Sequence, residues 1–198
     1  MSEIKKTIVT AMLIALCVVL PIAFHAIPGA GSTILPMHIP VLLAGLIAGW
    51  KYGLIAGVAG PLLSSITRGM PPMPIAQLMS IELGVYGLVA GIMIYFVRTN
   101  RSSVDLYISL ITAMVVGRIV AGFAQFAFFF QGTYHNGVWT YTYPMGIWVT
   151  SYFVTSLPGI VIQLILIPSV FMALERERFM PFRYPIEPIN ETTEAAIA

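Results

Sequence analysis

Residues 75–97 read IAQLMSIELGVYGLVAGIMIYFV, a run of 23 residues in which Glu82 carries the only formal charge. An α-helix rises about 1.5 Å per residue, so this run is long enough to cross the roughly 30 Å hydrocarbon core of a bilayer. Its apolar residues do not alternate with polar ones, as the strands of a membrane barrel require. The stretch therefore predicts a transmembrane α-helix.

The composition of the whole chain extends this prediction to its neighbours. Of the 198 residues, 58% are hydrophobic and 9% are charged, too few charges for the surface of a water-soluble domain of this size. In lipid every backbone N–H and C=O must pair internally, which favours helices. At roughly 20 residues per span there is room for about six. We predict an all-α integral membrane protein with six transmembrane helices in residues 1–174, followed by a polar cytoplasmic tail at 175–198.

The other apolar runs place the remaining spans. They cover residues 7–27, 38–48, 54–67, 104–130 and 145–174. The second and third spans are short and are expected to form a helical hairpin around the turn at 49–53. We expect Ser102 or Ser103 to cap the fifth span, with Asp105 in its first turn. The segments 28–36 and 131–144 are predicted to be uncharged loops, the second of them aromatic.

Positive charges on alternate sides of these spans predict the topology, because basic loops stay in the cytoplasm. With both termini inside, one residue, Arg68, falls outside, and Arg118 lies within the fifth span. The basic residues placed inside are Lys5, Lys6, Lys51, Arg98, Arg101, Arg176, Arg178 and Arg183. Both termini are therefore predicted to be cytoplasmic.

Glu82 and Arg118 are the ionisable residues well inside apolar runs. A charge there costs at least about 2.5 kcal/mol, so each should face protein or a water-filled cavity. Counted along their helices, the two residues lie at overlapping depths and could pair. One interpretation is a structural salt bridge. The other is a ligand site, since a guanidinium can bind a carboxylate through two parallel hydrogen bonds.

Polar and aromatic residues towards the outer side form a second candidate group. Its polar members could also bond neighbouring helices, and its aromatic members could form an interfacial belt. Aromatic side chains on an outer loop could equally cover a small organic molecule. Ser80 and the loop residues Tyr134, His135, Tyr141, Tyr143 and Trp148 belong to this group. The predicted binding residues are Arg118, Glu82, His38, Gln77, Gln125, Asn136, Trp139 and Tyr86.

Several classes of site find no support in the sequence. His25, His38 and His135 lie in separate segments without metal-ligand spacing, so we expect no metal. No phosphate-binding glycine-rich loop, serine elbow or paired zinc-binding histidines occur, which disfavours an ATPase or an intramembrane protease. Cys17 is the only cysteine, so no disulfide can form within the chain. No cofactor and no nucleic-acid partner are expected.

Small residues spaced four apart recur on three predicted helices. Gly53 with Gly57 and Gly87 with Gly91 are expected to let helices pack closely within the bundle. On the first span the equivalent pair is Ala11 and Ala15, near its cytoplasmic end. That pair could instead face another protein.

The combined pattern resembles the substrate-binding S component of energy-coupling factor (ECF) transporters. The resemblance covers residues 1–174 and is carried by LPMHIPVLLAG at 35–45, GWKYGL at 49–54, residues 57–65 and GRIV at 117–120. It implies a six-helix protein that binds a vitamin from outside. It also implies association with a transmembrane T subunit and two cytoplasmic ATPase subunits, which hydrolyse ATP. Ala11 and Ala15 resemble the alanine motif with which the family docks on the T subunit, and outer loops cover the family's pocket.

The identity of the cargo is less specific. The chain resembles the pantothenate-type members, and Arg118 with Gln125 on the same helix suits a carboxylate. If Glu82 neutralises Arg118, a neutral vitamin such as a pyridoxine-, pyrimidine- or corrinoid-like molecule fits as well. Outside transport, two readings stay open: a membrane-embedded enzyme that uses Glu82 or His38 as acid or base, and a purely structural membrane subunit.

Overall fold

The computed structural model describes residues 1–24, 33–73, 75–129, 133–135, 138–140, 150–177 and 179. At 24, 128–129, 133–135, 138–140 and 151–152 the description covers the backbone alone. The described residues contain six α-helices in the order that the apolar runs predict. They are α1 (Glu3–Phe24), α2 (His38–Ala48), α3 (Trp50–Arg68), α4 (Ile75–Phe96), α5 (Ser102–Phe129) and α6 (Leu157–Arg176).

Four of these helices are long and apolar enough to cross a membrane: α1, α4, α5 and α6. The predicted all-helical membrane fold is therefore confirmed at this level. The count of six spans and the cytoplasmic position of both termini stay predictions. The segment 175–198 falls largely outside the described residues.

Helix α2 lies at the centre of the bundle. Ten of its eleven residues are buried, and it packs against α1, α3, α4 and α6. A helix that is apolar all round and enclosed by protein belongs to a core rather than to a lipid-facing surface. At about 1.5 Å per residue it is also too short to cross the hydrocarbon core alone. Helices α2 and α3 turn at Gly49, whose φ of 100° suits glycine, as the predicted hairpin requires.

Glycines bring α2, α3 and α4 into backbone contact. A Cβ atom on Gly53 or on Gly87 would overlap the backbone of the other residue, and one on Gly45 would overlap Gly87. One on Gly57 would overlap the backbone at Leu83. A Cβ on Gly91 would likewise overlap the backbone of Trp50, so the predicted close packing at Gly53, Gly57, Gly87 and Gly91 is confirmed.

Contacts at one end of the bundle join the starts of α1 and α3 with the chain after α6. The Tyr52 hydroxyl donates to Glu3 at 2.9 Å, which ties the start of α3 to the start of α1. The Lys5 ammonium donates to the Phe179 carbonyl at 2.8 Å, so the chain after α6 returns to the same place. We call this the basic end. It is defined by Lys5, Lys6, Lys51, Arg98, Arg101 and Arg176, six of the eight basic residues that the charge rule places on the inside; Arg178 and Arg183 lie outside the described residues.

Several boundaries and contacts differ from the sequence predictions. The sixth helix begins at Leu157 rather than at 145 and ends at Arg176, and a π-helix at Thr150–Thr155 precedes it. The predicted loop at 131–144 contains a short antiparallel hairpin, β1 (Thr133–His135) and β2 (Val138–Thr140). The first helix begins at Glu3, before the predicted start at 7. Residues 145–149 lie outside the described residues.

The predicted cap of α5 is wrong, because the hydroxyls of Ser102 and Ser103 both donate to residues of α6, whereas Asp105 does lie in the first turn as predicted. The Ser102 hydroxyl donates to the Glu175 carboxylate at 3.1 Å and so joins α5 to α6 instead. The Asp105 carboxylate accepts hydrogen bonds from the backbone N–H and the hydroxyl of Thr99, at 2.8 and 2.6 Å. A buried carboxylate therefore fixes the turn that precedes the helix.

A first prediction concerns the glycine contact. Gly87→Ala should lower the free energy of unfolding in detergent by about 2 kcal/mol, because the new methyl group meets the Gly53 backbone, which cannot move aside. Gly84→Ala is the matched control one turn away. Its Cβ would meet only the side chains of Val58 and Leu54, at 3.2 and 3.3 Å, so its cost should stay within about 1 kcal/mol. Equal losses would refute the assigned backbone contact.

Candidate functional site

The candidate site begins with two residues of α4, Glu82 and Tyr86. They are four residues apart and therefore lie on one face of the helix. Both are buried, Glu82 with 5% and Tyr86 with 1% of its surface exposed. The Tyr86 hydroxyl interacts electrostatically with the Glu82 carboxylate. A carboxylate in the apolar interior is thus accompanied by a polar group of its own helix.

His38, the first residue of α2, faces this pair. Its Nε2 atom lies 3.6 Å from Oε1 of Glu82, and its ring centroid lies 5.1 Å from that of Tyr86. Within the part of the chain that the structure describes, neither ring nitrogen of His38 has a hydrogen-bond partner. Buried polar atoms are normally paired, so His38 has unused capacity to bind a polar group that enters the site.

Arg118 reaches the same place from α5. Its Nε–H donates to the Tyr86 hydroxyl oxygen at 3.0 Å, and 4% of the residue is exposed. The neighbouring Gly117 makes this approach possible, because a Cβ atom there would overlap the Tyr86 ring. Tyr86 therefore lies between the two charged residues. The structure brings Glu82 and Arg118 together, as their depths predict, and it connects them through this hydroxyl.

Phe153 is a member of the site that the sequence prediction missed. The Arg118 guanidinium carbon lies 5.8 Å from the centroid of its ring, within the range of a cation–π contact. Phe153 lies in the π-helix, whose wider turn alters the angular spacing of side chains. Apolar periodicity at the α-helical repeat cannot reveal such a position. The nearest signal in the sequence is Pro158, which marks the start of α6.

The other predicted binding residues are not members of this cluster, or their side chains lie outside the described residues. Gln77 is exposed on α4, and Gln125 is half-buried on α5. The Ser80 hydroxyl donates to the backbone carbonyl of Ala76 at 2.8 Å, so its own helix satisfies it. Asn136 lies outside the described residues. Trp139 is described as backbone only, in β2, where it pairs with Tyr134.

The cluster formed by His38, Glu82, Tyr86, Arg118 and Phe153 presents groups of the kind that hydrogen-bond to and stack on a small polar molecule. It combines a buried guanidinium, carboxylate and imidazole with the buried ring of Tyr86 and the ring of Phe153, which is 38% exposed. Such a combination orients a ligand through few polar contacts. The described residues contain no group of three His, Cys, Asp or Glu that could bind a metal ion.

The alanine pair of α1 lies on a different surface. Ala11 and Ala15 are exposed, whereas Leu13 and Cys17 of the same helix are buried against the bundle. Cys17 is free, as predicted, and its thiol lies 3.7 Å from the Met37 carbonyl oxygen. The exposed alanines therefore form part of the outer face of the bundle.

The chain was compared with known proteins in three ways. A family model described as "ECF transporter, substrate-specific component" matches residues 5–171. Searches of curated proteins and of solved structures found no match. The family match covers all six helices except the first two residues of α1 and the last five of α6.

A second prediction concerns the hydrogen bond at the centre of the cluster. Tyr86→Phe should lower the free energy of unfolding by about 1–3 kcal/mol, because it leaves the buried Nε–H of Arg118 unpaired. Tyr95→Phe removes an identical hydroxyl from an exposed residue of the same helix and should change stability by less than about 0.5 kcal/mol. Thermal unfolding in detergent measures both. If the two variants unfold alike, the Tyr86 hydroxyl does not stabilise Arg118.

Proposed function

The chain belongs to the family of substrate-specific components of ECF transporters, and from that premise we propose that it captures a small water-soluble vitamin at the outer face of the cell membrane. The family is a transporter component and not an enzyme family. The chain is accordingly a multi-pass membrane protein whose role is to bind a substrate. The vitamin class, the cell membrane and the roles of individual residues are parts of the proposal.

The observation that carries the proposal is the way in which Arg118 is positioned. Among the described residues its hydrogen-bond partner is Tyr86, which takes the Nε–H. The two terminal nitrogens, Nη1 and Nη2, carry the parallel N–H groups that bind a carboxylate bidentately. The contact with Tyr86 does not use them, and the Phe153 ring centroid lies 5.8 Å from the guanidinium carbon. This geometry supports a cargo with a carboxylate.

Pantothenate is therefore our first choice of cargo. Glu82 bears on that choice, because a carboxylate paired with Arg118 would compete with one on the ligand. Within the described residues, the basic side chain within 4 Å of the Glu82 carboxylate is His38, whose imidazole forms an ion pair only when it is protonated. That pairing favours a cargo anion at Arg118. The alternative is a neutral vitamin, such as a pyridoxine-, pyrimidine- or corrinoid-like molecule, and it is favoured by the burial of Glu82 in the same cluster.

The position of the cluster suits entry from outside. His38 begins α2 at the end of the bundle away from the basic end, which α2 reaches at Gly49. With the basic end in the cytoplasm, as the charge rule predicts, both termini lie inside. The cluster then lies towards the outer side.

The proposed partners are the transmembrane T subunit and two ATPase subunits, with ATP hydrolysis on the latter. Ala11 and Ala15 form the proposed docking face for the T subunit. Small exposed side chains permit another helix to approach closely, which is the way in which helices associate within lipid. Their exposure on α1 supports this assignment.

A third prediction tests the binding function. The purified protein should release a vitamin that mass spectrometry identifies, and it should bind that vitamin saturably. Arg118→Ala should weaken binding at least about 30-fold, or about 2 kcal/mol, because the ligand carboxylate loses a bidentate partner in an apolar site. Equilibrium binding to the purified protein measures the change.

Arg68→Ala is the control for this experiment, since Arg68 is exposed at the end of α3 and should leave affinity unchanged. Equal losses in the two variants would remove Arg118 from the site. If no vitamin is extracted and no vitamin of a panel binds saturably, the chain is a structural membrane subunit rather than a transport component. Weak binding of carboxylates beside tight binding of a neutral vitamin would select the alternative cargo.

A fourth prediction separates docking from capture. Ala11→Trp or Ala15→Trp should abolish vitamin uptake by cells, because an indole group on this face prevents close approach of the T subunit. Binding of the vitamin to the isolated variants should be unchanged, since the cluster lies on other helices. Met12→Trp tests a neighbouring exposed position of α1. Normal uptake by both alanine variants would show that this face is not the docking surface.

A further inference from the structure

A cavity of about 720 Å³ opens at the basic end, away from the proposed vitamin site. It lies between the start of α1, the turn from α2 to α3, and the ends of α4 and α6. Its volume falls within the range of about 300–1,000 Å³ that is typical of cavities for small ligands. Nothing in the proposed capture of a vitamin uses this cavity.

The walls of the cavity are apolar in the interior and basic at the rim. Leu46, Ile94 and Phe171 line its interior and are buried. Lys6 and Arg98 also line it. A compartment with these two parts suits an amphiphile, with an anionic group at the rim and hydrocarbon within.

The cations of the rim differ in what they contact. Lys6 forms an ion pair with Glu3 at 2.7 Å. Arg98 is exposed, and within the described residues its side chain has no hydrogen-bond or ion-pair partner. The acidic residue that lines the cavity, Glu175, is buried and accepts a hydrogen bond from the hydroxyl of Ser102. Arg98 is therefore the available charge, and it favours an anion.

The surroundings place this rim at the depth of lipid headgroups. Trp50, Tyr95 and Phe96 line the cavity and are exposed, and aromatic residues concentrate at the boundary between membrane and water. Basic pockets between transmembrane helices at this depth bind the headgroups of acidic lipids. We propose that the cavity binds one anionic phospholipid, with its phosphate at Arg98 and the upper part of its acyl chains against the apolar interior.

The test uses the full-length protein in detergent. Its thermal unfolding midpoint is measured while phosphatidylglycerol or phosphatidylcholine with the same acyl chains is added. Phosphatidylglycerol should raise the midpoint saturably, and phosphatidylcholine should raise it much less, since stabilisation follows the affinity of the folded protein for the lipid. Native mass spectrometry of the same samples should show one retained phosphatidylglycerol.

Matched variants locate the site. Arg98→Ala should weaken the apparent affinity for phosphatidylglycerol about fivefold, the effect of one basic residue near a lipid surface. Arg98→Lys should retain most of it. Arg101→Ala is the control, because Arg101 is also exposed in the same turn and is not among the residues that line the cavity.

Three outcomes would overturn the proposal. Equal stabilisation by the two lipids would mean that the cavity does not select an anion and is open to another occupant, such as a partner helix. Equal loss in the Arg98 and Arg101 variants would mean that the effect is a general surface charge. Equal stabilisation by glycerol phosphate alone would identify a free anion rather than a lipid.

Discussion

The backbone contact between α3 and α4 at Gly53 and Gly87 is the constraint on which the rest of the bundle depends. Within lipid there is little hydrophobic driving force for helices to associate. Close packing between small residues stabilises their association instead. The same contact includes Gly45 of α2, which encloses the shortest helix between its two neighbours. Because Glu82 and Tyr86 lie on α4 as well, the packing of the glycines also determines which side chains meet in the interior.

Much of this arrangement could be predicted from the sequence, because lipid imposes simple rules. Apolar runs such as residues 75–97 identify helices by their length. Pairs of glycines four residues apart identify helix faces that pack closely. The free-energy cost of a charge inside the membrane identifies Glu82 and Arg118 from the sequence alone. The charge rule likewise grouped the six basic residues that lie at the basic end.

What could not be predicted depends on contacts between distant segments or on departures from the regular helix. No periodicity indicates that His38 meets Glu82, since that contact follows from the enclosure of α2. Tyr86 was a candidate, but its position between the two charged residues depends on Gly117 of another helix. Phe153 could not be predicted, because a π-helix changes the angular spacing of side chains from the α-helical spacing that sequence patterns assume. The cap at Ser102 was wrong because a tertiary partner, Glu175, took the hydroxyl.

The enclosure of α2 has a consequence for how this family of sequences can vary. Helices α1 and α5 have sides exposed to lipid, where one apolar residue can replace another with little effect. Helix α2 has no such side, so nearly every position in it must conserve volume as the interior of a water-soluble protein does. Evolutionary drift should therefore be slowest in the helix that is too short to cross the membrane alone.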